Sequence, residues 1–311
     1  MPLDTSTAAF LSQMAQAGFK PIHESSPQEV RALGPALVEM YGVGPEMARV
    51  ENYTVTTADG AFGVRLLVPK ESPRAIIVYY HGGGWVIGAI EEFDALGRRL
   101  AERTGCAVVL VDYRLAPEYR YPTAADDAYA ALEWVAAHAE EIAGARVPLI
   151  VAGDSAGGNL SAVTALRARD RHGPEIALQV LVYPVTDCDV NTPSYTDPEN
   201  QLMLNRDGMI WFWDHYAPDP ATRIQPDASP LRAESLAGLP PAVVLTAEYD
   251  PLRDEGEAYA ARLKEAGVPV QLTRHAGQMH GFFTLLMLPG STEALDQVVA
   301  AIEAHLAARP A

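Results

Sequence analysis

The chain has 311 residues, 49% of them hydrophobic and 20% charged, enough for one large globular domain or one domain with an appended smaller unit. Against 23 Lys and Arg stand 40 Asp and Glu, and the net charge of −17 opposes binding to nucleic acid and to anionic membrane surfaces. No run reaches the roughly 18 apolar residues of a membrane span, the two cysteines (Cys106 and Cys188) support neither a disulfide framework nor a zinc site, and the N-terminal MPLDTSTAAFLSQMAQ lacks the basic and apolar blocks of a secretory leader, so a cytoplasmic protein without stable membrane insertion is expected.

Residues 4–18 and 26–42 carry apolar side chains at helical spacing. Asp59-Gly60, between VENYTVTT and AFGVRLLVP, predicts a β-hairpin. From there short apolar runs alternate with helical segments. The runs cover 75–81, 106–114, 147–154, 177–185, 241–250 and 268–275; helices are expected near 91–103, 124–138, 156–168, 253–266 and 291–308. Strands apolar on both faces and separated by helices define an α/β fold with a mostly parallel sheet covered on both sides, the hairpin adding antiparallel strands at one edge. The rhythm breaks over 190–228, where MLNRDGMIWFWDHY concentrates aromatic residues. A structureless loop of that length is unusual in a compact domain, so a helical insertion is predicted, its aromatics serving either a small core of their own or a substrate.

Chemistry concentrates in two glycine-rich stretches. Gly153-Asp154-Ser155-Ala156-Gly157 ends one apolar run and opens a helix, the G-x-S-x-G arrangement of a nucleophile elbow. The turn is crowded, so the positions two before and two after the serine must be small, and Ser155 falls at a helix N-terminus that favours negative charge. A serine hydroxyl needs a base held by a third group. In chain order Ser, then Asp or Glu, then His, Asp250 ends the run PAVVLTAEYD and His280 follows the last strand in GQMHGFF. His275 is the competing base but sits within the strand run with less freedom to reach Ser155; Asp254 and Asp187 are weaker acids. His81-Gly82-Gly83-Gly84-Trp85 ends another apolar run, where a glycine loop can aim N–H groups at an oxyanion together with the N–H of Ala156. A phosphate cradle would need a G-x-x-x-x-G-K-[ST] or G-x-G-x-x-G pattern, and neither occurs.

HGGGW, DYRLAPE, GDSAGGNL, DPLRDEG and HGFF stand in the order found in hormone-sensitive-lipase-like (bacterial family IV) esterases, and the chain resembles that family over nearly its whole length. The resemblance implies an α/β-hydrolase fold with the triad Ser155, Asp250 and His280, an oxyanion hole from Gly83, Gly84 and Ala156, a loop-shaping role for His81 and a structural one for Glu118. It also implies a helical cap (1–45 and 190–228) on a catalytic domain (46–189 and 229–311), with Trp85, Trp211, Phe212 and Trp213 lining the substrate pocket, and it offers the last strand and helix as a homodimer surface. The expected activity is hydrolysis of short- to medium-chain esters without metal or cofactor. A lipase, lactonase or amidase with the same triad, or a hydrolase-like ligand-binding receptor, are the alternatives.

Overall fold

The computed structural model describes residues 2–308. Three helices lead: α1 (Thr5–Gln16), α2 (Pro27–Arg31) and α3 (Gly34–Tyr41), with a 3₁₀ turn at Ile22–Glu24. The single helix expected over 26–42 is broken, because Pro35 sits in the first turn of α3 and cannot continue the α2 ladder. The hairpin follows as β1 (Arg49–Thr57) and β2 (Gly60–Val68), its two-residue turn lying at Ala58-Asp59, one residue earlier than the sequence signal.

The body then alternates: β3 (Ile76–Tyr80), α4 (Ile90–Thr104), β4 (Ala107–Asp112), α5 (Thr123–Ala137), α6 (Ala139–Ala143), β5 (Leu149–Asp154), α7 (Ala156–Asp170) and β6 (Ile176–Val182). The insertion contributes α8 (Pro193–Thr196), α9 (Arg206–Tyr216) and α10 (Pro220–Arg223). The chain closes with β7 (Ala242–Tyr249), α11 (Arg253–Glu265), β8 (Val270–Met279) and α12 (Pro289–Ala308).

The eight strands form one sheet in the order β1-β2-β4-β3-β5-β6-β7-β8, parallel from β4 to β8 and antiparallel at the β1-β2 edge. Side chains alternate across it. Val78, Tyr80, Val109 and Val151 pack with Leu132, Leu160 and Tyr259 on one face; Ile77, Tyr79, Val108 and Ile150 pack with Leu96, Leu100 and Leu295 on the other. The chain runs outward from β3 to β4, then restarts at β5 on the other side of β3. The β3/β5 boundary is therefore a topological switch point, where open α/β sheets offer a crevice at the strands' carboxyl ends. Among the described residues no helix is long and apolar enough to cross a membrane.

Candidate active site

Four carboxyl-end segments meet at that crevice. Ser155 follows β5 with φ 54° and ψ −117°, a strained turn for a residue with a side chain. Packing dictates the flanking glycines: a Cβ on Gly153 would lie 2.4 Å from the backbone of Gly157, and one on Gly157 would lie 1.9 Å from the carbonyl oxygen of Tyr80. The elbow is thus driven hard against the end of β3.

His280 comes one residue after β8, and its Nε2 lies 3.0 Å from Ser155 Oγ. Its Nδ1 lies 2.8 Å from Asp250 Oδ2, while Asp250 Oδ1 accepts the Leu252 N–H at 2.8 Å. Asp250 is completely buried and acceptor-only when ionised, so Nδ1 carries the proton and Nε2 is left to accept the serine hydroxyl. The strand ends of Ser155 and Asp250 are not neighbours: β6 intervenes, and Tyr183 at its end packs on the imidazole with ring centroids 4.6 Å apart. His275 lies within β8 against Phe282. Asp254 accepts the Ser194 N–H and Asp187 pairs with Arg232, so both weaker acids are engaged elsewhere.

The glycine loop after β3 is bonded directly to the elbow. Asp154 Oδ1 accepts the N–H of Gly82 at 3.1 Å and the hydroxyl of Tyr79 at 2.7 Å, both in buried surroundings. Burial pushes the Asp154 carboxyl up to about 6 despite the Tyr79 bond and the nearby His280, which both favour its charge. Gly82 is thereby spoken for, whereas the N–H groups of Gly83 and Gly84 donate to no protein acceptor among the described residues. Ala156 is the first residue of α7, so its N–H also lacks an intrahelical partner. Gly83 (φ 107°) and Gly84 (φ 57°) adopt backbone conformations that a side chain would resist.

His81 lies between Tyr113 (centroids 4.3 Å apart) and Phe93 (5.1 Å), with Nδ1 2.7 Å from the carbonyl of Gly82. Burial lowers its pKa to about 4, so the ring is neutral and structural. Glu118 forms a two-pronged ion pair with Arg31, whose guanidinium also donates to the carbonyls of Val86 and Ala116. The N-terminal helices are tied to the site at both ends: α2 through Arg31, and α1 through Asp4 N–H to the Gly277 carbonyl and Thr7 Oγ1 to Gln278.

The four aromatic residues expected in a substrate pocket divide. Trp85 and Trp213 have no exposed surface and pack on each other and on Tyr216, which corrects their reading as pocket lining. Phe212 lies on Gly84: a Cβ there would meet its ring at 2.1 Å. Trp211 is half-buried, edge-on to Phe212. Sequence reading missed Asp154 and Tyr183. Asp154 had a signal in its place inside the serine motif; Tyr183 had none beyond ending a strand.

An eight-stranded α/β sheet carrying this Ser–His–Asp constellation at its carboxyl edge defines a hydrolase of the α/β class. The sequence pattern of the alpha/beta hydrolase fold family matches residues 77–284, and the chain belongs to that family, in its hormone-sensitive-lipase-like branch. It is 43% identical over 236 residues to a carboxylesterase of Mycobacterium tuberculosis, covering 74% of each chain. It is 37% identical to an ethyl acetate hydrolase of Pseudomonas putida over 98% of this chain and 100% of the other. The hyperthermophilic esterase of Pyrobaculum calidifontis superposes with a TM-score of 0.90 at 40% identity, covering 98% of this chain and 99% of that one.

Proposed function

We propose that this chain is a serine carboxylesterase acting on small-molecule esters of short to medium acyl chain. The observation that carries the reading is the unbroken relay from Ser155 Oγ through His280 to Asp250, at 3.0 and 2.8 Å. His280 Nε2 takes the serine proton as Oγ attacks the ester carbonyl, and buried Asp250 orients the ring and stabilises the imidazolium. The N–H groups of Gly83, Gly84 and Ala156 receive the oxyanion. Collapse of the tetrahedral intermediate breaks the bond to the alcohol oxygen, which leaves with the proton from His280. Water, deprotonated by the same nitrogen, then releases the acid and regenerates Ser155. No step calls for a metal or cofactor.

In this reading residues 1–45 and 190–228 form a helical cap over the catalytic domain of 46–189 and 229–311. Phe212 and Trp211 border the substrate where the cap meets the oxyanion loop.

A panel of p-nitrophenyl esters of graded chain length, with and without a serine-directed phosphonate, tests the assignment. Short esters should turn over best, and one equivalent of phosphonate should attach at Ser155 and abolish turnover. Ser155→Ala and His280→Ala should each remove nearly all hydrolysis while the protein stays folded, and His275→Ala should retain it. Full activity in Ser155→Ala would reject the reading. Loss in His275→Ala with retention in His280→Ala would move the base. A steep preference for long acyl chains, lactones or anilides would instead select lipase, lactonase or amidase activity.

A further inference from the structure

The oxyanion loop contains one backbone feature that the reaction alone does not explain. Gly83, Gly84 and Trp85 have consecutive positive φ values of 107°, 57° and 61°. Glycine adopts such values freely, but a bulky aromatic residue does so only when its surroundings impose it. Those surroundings are supplied by one helix. The Trp85 indole stacks on Tyr216 with centroids 4.2 Å apart and planes 10° from parallel, and packs against Trp213 at 4.8 Å. Phe212, from the same α9, covers Gly84. Positions 212, 213 and 216 share one face of α9, and that face rests on two adjoining loop residues, Gly84 and Trp85. The loop backbone is closed by Val86 and Ile87 N–H groups donating to the Gly83 carbonyl at 3.0 and 2.9 Å, and by Ala116 N–H donating to the Trp85 carbonyl at 2.9 Å.

We infer that α9 is a mould for the oxyanion loop, and that Trp85, Trp213 and Tyr216 are positioning residues that hold the Gly83 and Gly84 N–H groups in their donating orientation. This rests on the esterase reading for its kinetic consequence, though not for the loop geometry itself. Burying the indole in the insertion offsets the strain at Trp85. The insertion therefore contributes to transition-state stabilisation as well as covering the site. No indole N–H bond to protein is involved, because Trp85 Nε1 has no acceptor among the described residues. The fit is one of stacked rings, which phenylalanine can partly reproduce.

The test compares Trp85→Gly, Trp85→Phe and Tyr216→Leu with the wild type in p-nitrophenyl butyrate hydrolysis, in inhibition by an alkyl trifluoromethyl ketone and in amide hydrogen exchange. Trp85→Gly is the decisive variant, since it removes the strain and the anchor together. It and Tyr216→Leu should lose about 10²-fold in kcat, the scale of a lost oxyanion donor. KM should stay within about threefold, as expected for an interaction made in the transition state. Affinity for the trifluoromethyl ketone, whose adduct carries an oxyanion, should fall in step, and Trp85→Phe should recover most of both. Hydrogen exchange needs no substrate: protection of the Val86 and Ile87 amides should drop in Tyr216→Leu while β3 and β5 stay protected. Wild-type kcat in Trp85→Gly, or unchanged loop protection in Tyr216→Leu, would overturn the inference. A wild type that hydrolyses no ester yet loses loop protection in Tyr216→Leu would reject the esterase reading and leave the mould standing.

Discussion

Asp154 joins two parts of the site that a triad description treats separately. It precedes the nucleophile in sequence, and its carboxylate crosses to the neighbouring strand end to hold Gly82 N–H and Tyr79 OH on one oxygen. Serine elbow and glycine loop are thereby fixed to each other through a single side chain rather than through the sheet alone. Removing the carboxylate in Asp154→Ala strands two buried donors, the Tyr79 hydroxyl and the Gly82 N–H, and frees the Gly82 peptide to turn. Turnover should drop by about 10²-fold, comparable to loss of an oxyanion donor, with a smaller change in KM. Asp154→Asn keeps an acceptor oxygen for both donors and should retain kcat within about tenfold of wild type. Steady-state kinetics on both variants check this, with circular dichroism to confirm folding. Equal losses in the two would mean that the charge, rather than the acceptor, is what the site needs.

At the scale of elements, the parallel strands β3 to β7 were legible because each is buried on both faces along most of its length and reads as a short apolar run, with a helical segment between successive runs. The serine elbow was legible for a related reason. Its glycines are demanded by backbone contact, and close contact leaves few residue choices. That demand can be measured. Gly157→Ala places a methyl 1.9 Å from the Tyr80 carbonyl oxygen, and the nearest atoms it meets, on Tyr80 and His81, are backbone, so no rotamer change relieves the contact. It should cost more than the usual 1–3 kcal/mol, roughly, of an overpacked core site, read as a marked fall in Tm. A Gly157→Ala protein with wild-type Tm would mean the elbow and β3 can separate cheaply. The aromatic cluster was not legible in the same way. WFWDHY gives helical spacing, but spacing does not say which face meets the loop and which meets substrate. Trp85 and Trp213 turn inward and pack on each other, with Trp85 at a φ of 61°, a backbone fact invisible in a list of residues. Nor does the sequence say that β6 separates the strands closed by Ser155 and Asp250, since strand order is set by connections across the whole sheet.

For the molecule as a whole, buried ionisable groups set how stability responds to pH. Burial raises four carboxyls above their ordinary values: Asp154 from 3.8 to about 6, Glu92 from 4.5 to about 7, Asp112 above 3.8 and Glu255 well above 4.5. Between the ordinary and the raised value the folded protein binds a proton that the unfolded chain does not, so stability declines as pH rises through each window. His81 acts in the opposite sense. Its pKa is lowered from 6.5 to about 4, so the unfolded chain takes up the proton first and stability declines as pH falls through that interval. Glu257 and Glu118, held below 4.5 by their arginine partners, add to the loss on the acid side. Above pH 6.5 the His81 contribution is complete, while Glu92 is still ionising against a net charge of −17. Between pH 4.5 and 6 the raised carboxyls outnumber His81, so Tm should already fall as pH rises through that interval, and should go on falling as Glu92 ionises near pH 7. A Tm that rises up to pH 8 would contradict this balance. Glu255 separates the buried groups from the surface charge. Its Oε1 accepts the N–H groups of Thr186 at 2.7 Å and Asp187 at 3.3 Å, bonds that an amide oxygen can also accept. Glu255→Gln fixes the neutral form without losing them, so the decline with rising pH should be shallower in this variant. A decline equally steep in wild type and variant would assign it to repulsion among the surface carboxylates, and added salt would then be what flattens it.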